Sequence, residues 1–460
     1  MDRQKLLGNA PIGKLLLKFS IPAIVGMMVN ALYNTIDRIY VGRKVGELGI
    51  AGITIGFPIM LIIMAFSMLI GIGATSLISI KLGENKKEEA EKILGNGMFL
   101  LVIVAVIISA LGLIFLDPLL KLFGASSSVL PYSRDYLQII LFGAIFQTVG
   151  FGMNNFIRAE GNPKTAMLTM LIGAALNIII DPIFIFVLDM GIRGAAFATI
   201  ISQAASAIWV LSYFFGGKSS LNIHKDNFKL QLPVVKNIVA IGSAPFLMQI
   251  ASSAINAILN NNLQTYGGDT AIASFGIINS ITMFILMPIF GINQGVQPII
   301  GYNYGAKQFD RVKKALKLAV IGATFITVTG YIITRAFPKE LISFFGGNNK
   351  NLIEMATNGL RIFLFMLPII GFQIVCSNYF QAVGKPKHAM FLSLSRQVVF
   401  LIPGIILLSK VFGLKGIWMA APVSDILASL VTGIWITLEM KKLNENTNNV
   451  SSFKPVIEEK

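Results

Sequence analysis

The chain has 460 residues, of which 55% are hydrophobic and 13% charged, with a mean hydropathy of +0.73. Soluble domains carry about 25% charged residues, so this composition excludes an ordinary water-soluble protein and makes lipid the expected solvent. A net charge of +16 would suggest nucleic acid in a soluble chain. Here the lysines gather in the segments between apolar runs, and no nucleic-acid partner is expected.

The single cysteine, Cys376, rules out an intramolecular disulfide. The start, "MDRQKLLGNAPIGKLLLKFSIPAIV", is basic and then apolar like a signal peptide. No small-residue cleavage site follows, however, and the apolar run continues to Val41, too long for a signal sequence. It reads as the first membrane helix.

Apolar windows of about 20 residues, enough to span a bilayer, then recur. The pattern predicts spans over 15–41, 52–80, 93–116, 133–157, 163–188, 194–215, 236–262, 271–301, 316–337, 353–381, 387–409 and 416–440. The expected fold is therefore an all-α membrane protein of twelve transmembrane helices in two pseudo-symmetric six-helix bundles. Residues 1–215 form the N-terminal lobe, 216–235 an inter-lobe linker, 236–440 the C-terminal lobe, and 441–460 a polar tail expected to be disordered. Lysine and arginine number about 25 on the side of the N-terminus and about 10 on the other, which places both termini in the cytoplasm. The expected location is the inner (plasma) membrane.

The two halves are related by an internal repeat with an offset of about 222 residues. "NNFIRAEGNPKTAM" (154–167) aligns with "SNYFQAVGKPKHAM" (377–390), and "MGIRGAAFATIISQ" (190–203) with "FGLKGIWMAAPVSD" (412–425). Such duplications characterise secondary transporters. Six spans per half return the chain to its starting side, so both halves share one orientation.

Three acids fall well inside spans: Asp37, Asp181 and Asp425. An ionisable group inside the membrane is costly unless paired or neutralised, and marks a functional site by default. Asn177 lies four residues before Asp181, on the same helical face. Spans 1 and 5 run outward and span 6 inward. Asp37, Asn177, Asp181 and Thr199 therefore share the outer half of the N-terminal bundle. Two carboxylates, an amide and a hydroxyl suit a proton or a small hard cation such as Na+. A competing reading makes Asp37 and Arg38 an interfacial ion pair. Asp425 either pairs with Arg396 or lines a central cavity. Asn30 and Asn154 are further cavity candidates.

Other chemistry finds little support. His224 and His388 are placed in loops, so a histidine metal site or catalytic dyad in the membrane is not expected. There is no Walker A sequence. "GIGATS" (71–76) lies inside an apolar span, where its glycines permit close helix packing. No nucleophile–base pair falls in the spans, and the chain is read as a non-enzyme without cofactor.

Taken together, the early proline with "TIDRIYVG" (35–42), "RAEGNPK" (158–164), "LNIIIDPIFIF" (176–186) and "GAAFATIIS" (194–202) resemble the multidrug and toxic compound extrusion (MATE) family, in its bacterial MepA-like branch. The resemblance covers nearly the whole chain. It implies an antiporter exporting organic, often cationic, drugs or dyes in exchange for H+ or Na+, expected here as a monomer. It also implies a cation site at Asp37, Asn177, Asp181 and Thr199, a hydrogen-bonding role for Tyr136, and a bend of the first span at Pro22. Some family members carry acids in spans 7 and 10 that bind sodium; span 7 here has none. The alternative is a lipid-linked oligosaccharide flippase of the same superfamily, whose cavity would need arginines such as Arg361 and Arg396.

Overall fold

The computed structural model describes residues 3–346 and 350–452, and no strand occurs among them. The helices are α1 (Arg3–Asn9), α2 (Ile12–Val45), α3 (Glu47–Gly83), α4 (Lys87–Ile114), α5 (Leu116–Leu122), α6 (Leu130–Ala159), α7 (Pro163–Pro182) and α8 (Gly191–Phe215). They continue as α9 (Leu232–Gly305), α10 (Phe309–Ala336), α11 (Pro338–Gly346), α12 (Lys350–Phe363), α13 (Leu367–Ala382), α14 (Pro386–Leu394), α15 (Ile402–Phe412) and α16 (Leu414–Ser452). Wider π-helical turns extend α7 over Ile183–Val187 and join α14 to α15 over Ser395–Leu401.

Among the described residues, ten helices are long and apolar enough to cross a bilayer. α9 runs for 74 residues, but Gly268 inside it has φ 62° and ψ −161°, so it is two helices in series. Only glycine takes such a conformation readily, and "YGGD" (266–269) falls in the expected interval between two spans. α12 and α13 cross as one span bent by 52°. Pro368, at the start of α13, lacks an N–H and disfavours helix in the residue before it. Counting α9 twice and the bent pair once raises the ten to the twelve expected spans.

The two repeat copies of the α6–α7 and α13–α14 turns share a device. Gly161 and Gly384 both have positive φ, 89° and 72°, and Pro163 and Pro386 open the next helix. Glycine ends one helix and proline, with φ preset and no N–H to satisfy, starts the next. In the first copy the Asn162 side chain also accepts a hydrogen bond from the Thr165 N–H, as an N-cap.

The chain groups into two compact units. One comprises Lys18–Ser79 and Lys86–Ser253; the other comprises the segment ending at Leu17, Ile80–Asn85 and the chain from Ala254 onward. The divisions thus fall inside α2, α3 and α9 and in the turn between α3 and α4, and the 216–235 linker belongs wholly to the first unit. Within that unit, a Cβ on Gly71 would lie 2.9 Å from Gly152 Cα, and one on Gly73 would lie 2.2 Å from the Ile238 carbonyl oxygen. The "GIGATS" glycines therefore bring backbones together. Within the other unit, the Arg311 guanidinium donates to the Leu7 and Ala10 carbonyls at 3.0 and 2.8 Å, which satisfies the C-terminal end of α1.

Two expectations are corrected. The tail from Lys441 is helical through Ser452, as a continuation of α16, and residues 453–460 lie outside the described residues. Extending a formed helix avoids the cost of nucleation, and Asn444 accepts a hydrogen bond from Lys313 at 2.8 Å. His388 sits on the first turn of α14 instead of in a loop, where its ring stacks on Phe380 with centroids 5.5 Å apart and meets Trp435 edge-on at 4.8 Å.

Candidate functional site

Asp181 is the penultimate residue of α7, followed by Pro182 and the π-helical turn. Its side chain is fully buried. Asn177 Nδ2, one turn earlier, donates to Asp181 Oδ1 at 3.2 Å, so the predicted sharing of one face is realised. Asp181 Oδ2 and Asn177 Oδ1 are buried without a hydrogen-bond partner. From α2, buried Asp37 lies beside Asp181, close enough for the two carboxyl groups to act on each other. Two carboxyl groups can hydrogen-bond to each other only if one carries a proton. Two acids side by side in an apolar bundle form a group to which a proton or a small cation would be attracted. The Arg38 side chain, and with it the expected Asp37–Arg38 ion pair, lies outside the described residues.

Thr199 of α8 is buried and forms no hydrogen bond to either carboxylate among the described residues. Tyr136 of α6 is buried in an apolar layer with Val41, Ile185, Ala195 and Ala196. Val41 follows Asp37 by one turn, Ile185 follows Asp181 by one turn, and Ala195 precedes Thr199 by one turn. The layer therefore sits one turn along from the polar cluster on α2, α7 and α8, and closes that side of it. Beyond the layer, Lys44 pairs with Asp189 at 2.6 Å, between the end of α2 and the turn before α8. The lysine's hydrogen bond and charge hold the Asp189 carboxyl below its ordinary range.

Pro22 is buried inside α2. Asn154 on α6 is buried, with Oδ1 lacking a partner, whereas Asn30 on α2 is only half-buried. Asp425, in the other unit, is not a lone acid. Arg396 Nε, on the second π-helical turn, donates to Asp425 Oδ1 at 2.7 Å, and Ser424 Oγ donates to the Arg396 carbonyl at 2.6 Å. Among the described residues no group of three or more His, Cys, Asp or Glu side chains could hold a metal ion.

Further buried acids sit at or just beyond the ends of the expected membrane-spanning runs. Glu160 follows α6 and is fully buried. It accepts hydrogen bonds from Tyr213 Oη at 3.0 Å, Ser219 Oγ at 2.5 Å and the Ser220 N–H at 3.0 Å. Burial pushes its carboxyl up from the ordinary value, and these donors partly offset that. Glu91 accepts from the Asn222 N–H at 2.8 Å and faces His224 Nε2 at 3.3 Å. Both glutamates fasten the linker segment to its unit. In the other unit, Glu439 holds Lys385 Nζ at 2.5 and 2.7 Å and accepts from Tyr379 Oη at 3.3 Å. A carboxylate–tyrosine contact thus occurs near the turns after α6 and α13, built from different positions of the repeat. Glu160 lies in the quoted "RAEGNPK" stretch, and that was its one signal in the sequence.

Helices of this length, a duplicated chain and a buried polar cluster inside one half define a polytopic membrane transporter. The MatE family profile matches twice, at residues 22–183 and 245–407. The starts differ by 223 residues and the ends by 224, which independently recovers the repeat. The chain belongs to the MatE family. It is 28% identical over 442 residues to the multidrug export protein MepA of Staphylococcus aureus strain MRSA252, covering 96% of this chain and 97% of that protein. Its fold matches an outward-facing multidrug resistance MATE family transporter of the MOP superfamily, with TM-score 0.91 and 26% identity over 97% of this chain and 99% of the other. A MATE crystal structure in a bent conformation matches with the same score, identity and coverage.

Proposed function

We propose that this protein exports organic, often cationic, compounds across the plasma membrane in exchange for H+ or Na+, by alternating access. The observation that carries this reading is Asp181: its Oδ2 is buried without a hydrogen-bond partner, beside Asp37 and Asn177. Such a group is costly in the membrane unless a mobile charge cancels it. Membership of a family that includes multidrug export proteins supplies the cargo class.

The mechanism follows from the geometry of the first unit. A proton or Na+ entering between Asp37 and Asp181 cancels their repulsion, and lets α2 and α7 approach. Thr199 and Tyr136 complete the surroundings of the ion, and Asn30 and Asn154 contribute to the drug cavity. Pro22 leaves α2 without one backbone hydrogen bond, so α2 can bend there when the ion binds. The bent state of a related transporter supports such a motion. Exchange requires that ion and drug favour different states of the protein. The termini lie in the cytoplasm, the protein acts as a monomer, and it performs no catalysis. Arg396 is committed to Asp425, which removes one of the two arginines a lipid-linked oligosaccharide flippase would use.

The decisive experiment measures uptake of a fluorescent cationic dye into everted vesicles, under a proton gradient and then a sodium gradient. Uptake driven by one gradient and abolished in Asp181→Asn is expected. Equal uptake by wild type and variant would overturn the reading.

A further inference from the structure

Three helices of the second unit leave an open groove of about 810 Å³ on the protein's surface. Its floor is the start of α13, with Pro368, Ile369 and Phe372, and Thr324 of α10 forms one wall. The other wall is a stripe of α16: Ile426, Leu430, Gly433, Ile434 and Leu438. Leu430, Ile434 and Leu438 are 61%, 62% and 52% exposed, so none of the described residues covers them. α10 and α13 touch backbone to backbone beneath the groove, since a Cβ on Gly371 would come 2.8 Å from the Ala323 backbone. At Gly433 the wall is hollow: nothing lies within 4 Å of where a Cβ would be.

Two features say what fills it. The first is length. From Ile426 to Leu438 the helix rises by twelve steps, or roughly 18 Å. The hydrocarbon core is about 30 Å thick, so the groove matches one leaflet and not the whole membrane. The second is charge. The α16 stripe continues by three and four residues past Leu438 to Lys441 and Lys442, both exposed. Lys317, also exposed, lies two turns before Thr324 on the same face of α10. The Lys313–Asn444 hydrogen bond of 2.8 Å brings these two helix ends together. Lys313 itself is engaged by Asp310 at 2.7 Å, and Glu445 follows the lysines on α16. Lys317, Lys441 and Lys442 remain as the cationic end of an apolar slot. Basic clusters at the membrane surface between helices recognise anionic head groups.

We propose that this groove is a binding site for an anionic phospholipid from the leaflet on the side of the chain termini. An acyl chain lies along α13 between α10 and α16, and the phosphate sits among Lys317, Lys441 and Lys442. Gly433 provides the room for the chain.

The test is native mass spectrometry of the full-length protein released from detergent. Phosphatidylglycerol and phosphatidylcholine with identical acyl chains are added in turn. Wild type is expected to retain phosphatidylglycerol under activation that strips phosphatidylcholine. Lys317→Ala/Lys441→Ala/Lys442→Ala should lower phosphatidylglycerol retention several-fold, to the phosphatidylcholine level. Gly433→Leu adds a side chain to the hollow wall of a helix and should lower retention of both lipids, whatever the folding of the triple variant. Equal retention of the two lipids by wild type would overturn the proposal. So would displacement of phosphatidylglycerol by inorganic phosphate with no effect of Gly433→Leu, because the site would then be an ion site. A dimer that dissociates in Gly433→Leu would assign the groove to a second copy of the chain, and would equally overturn it.

Discussion

Asn177 donates one hydrogen bond to Asp181, at 3.2 Å, and leaves the second carboxylate oxygen without a partner. The amide orients the carboxylate but cannot neutralise it. Under the proposed function, the oxygen that Asn177 does not hold is the one that would meet the coupling ion. Asp37 from α2 supplies the second carboxyl, so an ion bound between the two, as proposed, would link two helices that are distant in the chain.

Asp181→Asn keeps the volume and removes the charge. The variant is expected to insert and fold, and to lose gradient-driven dye export for cationic and neutral dyes alike. Transport in everted vesicles, normalised to protein detected in the membrane, measures this. Export at the wild-type rate would make Asp181 structural.

Pro22→Ala restores a backbone donor inside α2 and removes the ring's clash with the preceding turn. The expected result is a straighter, more stable α2 and slower turnover, with dye binding retained. Binding by fluorescence anisotropy and turnover in vesicles separate the two effects. Unchanged turnover would make Pro22 a static kink.

Asp425 should behave differently from Asp181, because Arg396 already cancels its charge. Removing one partner of a buried pair leaves the other uncompensated, at a cost of about 3–5 kcal/mol. Asp425→Asn is therefore expected to lower the melting temperature in detergent while coupling to the ion gradient survives. Arg396→Met/Asp425→Leu should recover much of the lost stability. Loss of coupling in Asp425→Asn with normal stability would place ion coupling in the wrong half of the protein.

Glu160 gives a pH prediction. Its folded-state carboxyl is raised by burial, so the folded protein holds this proton more tightly than the unfolded chain does. The resulting stability is fully present below the ordinary glutamate range and is lost as pH rises through the raised value. Thermal melts across that window should decline with pH in wild type and decline less in Glu160→Gln. Glu160→Ala should be worse at every pH, by about 2–4 kcal/mol, since it strands the donors of Tyr213, Ser219 and Ser220. Parallel melting curves for wild type and Glu160→Gln would refute the assignment.

What the sequence determined by itself was whatever depends on residues close along the chain. Span lengths are set by runs of apolar residues measured against bilayer thickness. The duplication shows in strings such as "RAEGNPK" and "QAVGKPK". The Asn177–Asp181 contact follows from four-residue spacing on one helix. Tertiary structure decided the contacts that cross between helices. Arg396 meets Asp425 across 29 residues and Glu160 meets Ser220 across 60. Asp37 comes beside Asp181 only because α2 and α7 pack in one unit, and Tyr136 joins a layer drawn from α2, α6, α7 and α8. Helical period states which face a residue occupies. Which neighbour that face meets is set by the close approach of whole helices, as where Gly71 lets α3 reach the backbone of α6.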